Sequence, residues 1–149
     1  MSTFIQQQHD ILNFLEAILD NAMSLRKYID KLYFFQRDLT AHESEIYHSI
    51  FKHRYYLTSK TENHAKKMTH MSHGTPSQNC IHKLHEELVA IISHALNQIV
   101  DIQSKITKLY GSTCDQYTPC QKKIAFILSS QKLILESRLR KEQAKISYL

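Results

Sequence analysis

Chain breakers are almost missing from this sequence. Its 149 residues include two glycines and two prolines, where average usage would supply about 10 and 7. Sheets need a turn every few residues, and turns lean on Gly, Pro, Asn and Asp. A sandwich, a barrel or an α/β fold is therefore a poor fit, and so is a glycine-rich phosphate loop. What such a chain can build is long helices. Hydrophobic residues make up 42% and charged residues 22%, a balance that favours a packed core over disorder. A single domain over 1–149 fits the length. A chain of roughly 150 residues buries about two-thirds of its unfolded surface, so stability requires neither metal nor disulfide.

The breakers also punctuate the chain. Gly74 and Gly111 each follow a long periodic segment, as helix-ending residues do. Thr75-Pro76-Ser77-Gln78 and Thr118-Pro119-Cys120-Gln121 each read as N-cap, Pro at the first helical position and Gln at the capping-box position. Thr3-Phe4-Ile5-Gln6 and Thr40-Ala41-His42-Glu43 follow the same capping grammar. The spacing predicts four helices near 4–36, 41–73, 76–110 and 119–147. The first has an apolar stripe of Phe4, Ile11, Leu15, Ile18, Ala22, Leu25, Ile29 and Leu32. The third has Ile81, Leu84, Leu88, Ile91, Ala95, Ile99, Ile102, Ile106 and Leu109. Both alternate threes and fours. The fourth stripe is weaker, with Ile124, Leu128, Leu135, Leu139 and Ile146. The second is under-filled: Ile46, Ile50, His53, Leu57, His64, Met68 and Met71. Short connections imply antiparallel neighbours. The predicted fold class is all-α, an antiparallel up-down-up-down four-helix bundle.

Ten histidines are the second unusual feature. His64, His70, His73, Cys80, His82 and His85 flank the predicted turn between the second and third helices. Imidazole and thiolate suit Zn, Cu or Ni. His70 with His73, and His82 with His85, are i,i+3 neighbours on one helix. A tight hairpin sets His64 level with His85, and His70 near Cys80. His64 falls on the core stripe and His85 at its edge, whereas the other histidines point outward. A di-iron reading of Glu16 and Glu45-x-x-His48 fails, because both carboxylates point away from the core.

Arg37-Asp-Leu-Thr-Ala-His42 resembles the R-x₄-H motif of HEPN-type ribonucleases, which are also helical bundles. The resemblance implies RNA cleavage with Arg37 and His42 as catalytic residues. Ser44 stands where that family often carries a tyrosine.

The formal net charge is +5. Much of the excess lies late in the chain, where Lys122, Lys123, Lys132, Arg138, Arg140, Lys141 and Lys145 outnumber Asp115, Glu136 and Glu142. Such cations fit a solvated helical face, with Arg138 and Arg140 available to an acidic partner. Lys52-His53-Arg54-Tyr55-Tyr56 mixes basic and aromatic residues, but one helix spreads them over both sides, so nucleic acid ranks below protein as a partner. Tyr55, Tyr56 and Phe51 are candidate interface residues. Leu12, Leu19, Phe34, Phe35 and Phe51 are apolar residues left over for homodimerisation. A helix N-terminus with Lys122 and Lys123 nearby can lower the Cys120 thiol pKa, and Cys114 lies within reach of it for a reversible disulfide, but C-x₅-C is not a redox motif, so an ordinary free thiol is expected.

No run of about 20 apolar residues spans a membrane, and the N-terminus lacks the pattern of a secretory leader. A cytoplasmic location is expected, with signal-independent export still compatible. The expected function is a non-enzymatic module (an adaptor, chaperone-like or regulatory bundle) that binds another protein on a helical face. Its mechanism would seat a partner's helix in a groove beside the second or fourth helix. The histidine-rich metal site and the HEPN-like ribonuclease are the alternatives.

Overall fold

Two capping boxes start helices where the sequence places them. Thr40 and Glu43 bond reciprocally, Glu43 N–H to Thr40 Oγ1 at 3.2 Å and Thr40 N–H to Glu43 Oε1 at 3.0 Å. Thr118 and Gln121 do the same at 3.2 and 2.9 Å. Each box satisfies donors that a helix start leaves orphaned. A computed structural model describes residues 4–33, 38–69, 77–112 and 114–147, with the Cys114 side chain outside the description. Its helices are α1 (Phe4–Tyr33), α2 (Ala41–Thr69), α3 (Gln78–Tyr110) and α4 (Pro119–Ser147). The chain is an all-α four-helix bundle. The predicted extensions to 36 and 73, and the Thr75-Pro76 start of α3, fall outside the described residues. Ser77 is the N-cap of α3, its Oγ accepting from the Cys80 N–H. Gly111 ends α3 at φ 94°, a conformation costly for side chains with a Cβ, and its N–H bonds the Thr107 carbonyl. A 3₁₀ turn over Cys114–Gln116 follows.

Consecutive helices pack against each other, and α4 closes back on α1. The register is antiparallel. Ascending α1, Asp10, Ile18 and Tyr28 meet Arg138, Gln131 and Cys120 as α4 descends. Down α2, Ser49, His53 and Lys67 meet Lys105, Gln98 and Glu87 of α3.

The core follows the predicted stripes with three kinds of departure. Ile92 is buried to 0% exposure and Ile91 is half-buried, the reverse of the order the spacing suggested. Tyr33 rather than Leu32 closes the α1 stripe, its hydroxyl 2.6 Å from that of Tyr110. Gln8, Thr61, His85, Gln131 and Glu142 occupy core positions that an apolar count skips. Each polar intruder requires a partner inside the bundle, because burial without one costs more than the bond is worth.

Candidate functional site

The polar intruders form layers at two heights. In the middle of the bundle His53 is fully buried, and its Nδ1–H donates to Gln98 Oε1 at 2.8 Å. That fixes the tautomer, so His53 Nε2 accepts from Gln131 Nε2 at 3.1 Å. The same amide also reaches the Ile18 carbonyl at 3.4 Å. Gln131 Oε1 is left without a partner among the described residues. Burial pushes the His53 pKa below the ordinary imidazole value, against the two amide bonds, and nearby His94 adds to the lowering.

Nearer the N-terminus of α1, Glu142 is fully buried on α4. It accepts from His85 Nδ1 at 2.5 Å, Arg138 Nε at 2.8 Å and Lys145 Nζ at 3.5 Å. Arg138 spans outward to Asp10 at 2.5 Å and lies 4.8 Å over the Phe14 ring. Burial alone would raise the Glu142 pKa. His85, Lys145 and Arg138 outweigh it and hold the carboxyl below its usual range.

The candidate metal ligands that the structure describes have separate surroundings. His64 Nε2 bonds the Gln8 carbonyl of α1 at 3.0 Å, while His85 turns to Glu142 of α4. The two buried histidines are thus held by different helices. His82 is half-buried and pairs with Glu86 at 2.6 Å, and Cys80 is an exposed free thiol. Among the described residues no three His, Cys, Asp or Glu side chains gather around one point. His70 and His73 lie outside the described residues. So does Arg37, while His42 stands exposed on the first turn of α2. Glu16 and Glu45 are exposed, as the helical geometry requires.

Cys120 carries an ordinary free thiol, as expected: burial raises its pKa, only partly offset by Lys31, and Sγ–H donates to the Tyr28 carbonyl at 3.1 Å. Its supposed partner Cys114 has its side chain outside the description. Tyr56 is half-buried rather than exposed, its ring 4.2 Å from that of His94. Tyr55 is 70% exposed, and Phe51, 43% exposed, lies under the Arg26 guanidinium. Arg140 is exposed, whereas Arg138 is taken into the Glu142 network.

A concavity of about 600 Å³ lies between α2 and α3. Ligand sites commonly measure about 300–1,000 Å³. Its floor is Ile11 and Leu15 of α1 with Leu84, Leu88 and Ile91 of α3. Its α2 wall is polar: Tyr56, Lys60, Asn63, His64 and Lys67. The cause is in the sequence. Between Leu57 and Met68, α2 has no large apolar side chain, and α3 offers only Ala90 at the opposite lip. In this gap Leu84 and Ile91 are left half-buried, while Ile11, Leu15 and Leu88 beneath them belong to the buried core. A smaller groove of about 420 Å³ runs beside α4, between Phe14 and the exposed Leu133 and Ile134. No helix among the described residues is long and apolar enough to cross a membrane.

No known family model, curated protein or solved structure matches this chain.

Proposed function

We propose that this chain is a non-enzymatic interaction module whose α2–α3 groove receives an amphipathic helix of another protein. One observation carries the reading: Leu84 and Ile91 of α3 are left half-buried in a groove because the facing stretch of α2 is polar. Burying apolar surface drives association. A helix offering apolar anchors at i, i+3 and i+7 has the shape to supply it. Along α2, from Tyr56 to Lys67, the groove is about 16 Å long at ~1.5 Å per residue, enough for three turns. The buried polar layers serve the reading indirectly. They tie all four helices together beneath the groove, so that it is held open by a fixed frame.

Ala90→Trp tests this. Ala90 is an exposed lip residue, and an indole there fills the mouth without entering the core. A helical peptide with leucine anchors is expected to bind the parent chain and to shift the amide resonances of Tyr56, Ala90 and Ile91. Affinity for the Trp variant is expected to fall at least about tenfold, the loss of roughly 1.4 kcal/mol, with far-ultraviolet dichroism and Tm unchanged. Equal binding by both chains, or shifts confined to other faces, would refute the groove.

A further inference from the structure

We infer that the helix received by the groove carries carboxylates along its flanks, and that the Lys67–Glu87 ion pair holds their place until it arrives. This rests on the groove reading above and adds the partner's chemistry to it. Lys60, Lys66 and Lys67 line the groove against a single carboxylate, Glu87. Lys67 of α2 and Glu87 of α3 stand on opposite walls and meet at 2.9 Å. The other two lysines have no carboxylate within ion-pair distance among the described residues; Lys60 instead sits 5.6 Å over the Tyr56 ring. The rim is therefore cationic after its one internal pair is counted, above a floor that is apolar.

That combination selects among ligands. A nucleic-acid backbone matches the lysines but has nothing to place on the half-buried Leu84 and Ile91. A neutral amphipathic helix fills the floor and leaves the lysines unanswered. An acidic amphipathic helix satisfies both. Glu87 occupies the position one of its carboxylates would take. The Lys67 and Glu87 side chains are 61% and 55% exposed, and ion pairs so open to water contribute little. Exchange of Glu87 for a ligand carboxylate on Lys67 therefore costs little. Glu87 acts as a weak built-in competitor that yields its place on Lys67 to a ligand carboxylate.

The test uses the full chain and three labelled helical peptides with identical leucine anchors, flanked by glutamate, glutamine or lysine. The glutamate peptide is expected to bind about tenfold tighter than the glutamine peptide and the lysine peptide weakest, with the preference fading at high salt. The double variant Lys60→Gln, Lys67→Gln is expected to erase the preference. Glu87→Gln, which removes the competitor, is expected to tighten the glutamate peptide a few-fold. All three substitutions are on the surface, and dichroism checks that the fold is kept. Equal affinity for the glutamate and glutamine peptides overturns the acidic partner and leaves the groove standing. So does a Glu87→Gln variant that weakens the glutamate peptide. Failure of all three peptides to bind, whether or not a small amphipathic acid such as decanoate does, overturns both readings.

Discussion

Glu142→Ala is expected to destabilise the bundle by about 3–5 kcal/mol, the cost of removing one partner from a buried charge cluster. The Glu142 side chain is 0% exposed and gathers His85, Arg138 and Lys145 onto its two oxygens. Without it, Arg138, with its side chain 11% exposed, keeps only Asp10 at the rim. His85 loses the acceptor for its Nδ1–H. Glu142→Gln keeps the volume and one acceptor, so its loss is expected to be smaller. Truncating the exposed Glu62 is expected to change stability by no more than about 0.5 kcal/mol. Urea unfolding of the three variants ranks them. A Glu142→Ala chain as stable as the Glu62 variant would mean that the cluster contributes nothing. The same group sets an acid limit. Its folded pKa is held low, so the unfolded chain takes up the proton first. The stabilisation is complete above the ordinary value of about 4.3 and is lost as pH falls from there through the folded value.

His53 opens a second acid window at higher pH. Burial lowers its pKa in the folded chain, whereas the unfolded ring binds a proton near about 6.5. Stability is therefore full above about pH 6.5. It falls on acidification, by up to ~1.4 kcal/mol per pH unit, until the folded ring is itself protonated. The double variant His53→Leu, Gln131→Leu removes that titration together with the unpartnered Gln131 Oε1. Gln98 is half-buried and turns to water. Replacing both members of a buried polar pair by apolar groups of similar shape is close to neutral or stabilising. At pH 7.5 the double variant is expected to be at least as stable as the parent. Between pH 6.5 and 5.5 it is expected to lose less stability than the parent. Parallel stability–pH curves would show that His53 titrates normally in the fold.

The helices were legible because each level of the sequence agreed. Thr40-x-x-Glu43 and Thr118-x-x-Gln121 mark starts, Gly111 marks an end, and Ile and Leu at threes and fours mark the buried faces. Apart from Ile92, Tyr33 and Tyr117, the core residues that the spacing missed are polar. Gln131 and Glu142 continue the α4 stripe of Ile124, Leu128 and Leu135 in perfect helical register, but a count of apolar residues passes over them. That is also why α4 looked weak. A rule that admits a polar residue at a vacant stripe position would have found both. The metal reading met the opposite difficulty. Periodicity put His64 and His85 inside and level with each other, yet it cannot say which neighbouring helix each ring will choose. The Gln8 backbone carbonyl and the Glu142 carboxylate, neither of which the apolar spacing marks, are their partners. The groove was half legible. The under-filled stripe of α2 was plain, with Thr61 and His64 where Leu or Ile would seal the bundle. That the gap would open toward α3, above Leu84 and Ile91, depends on how the helices lean together.

The central claim is that the groove between α2 and α3 is where a partner helix docks. Site-specific photocrosslinking inside the cell of origin tests it most directly, with a photoreactive residue placed at Ala90 on the groove lip or at Val100, 48% exposed on α3 and not part of the groove. The expected result is a discrete protein adduct from position 90. Its crosslinked peptide should be an acidic amphipathic helix, and it should be lost when Lys60 and Lys67 are changed to Gln. No adduct from position 90, or the same adducts from positions 90 and 100, would contradict the account.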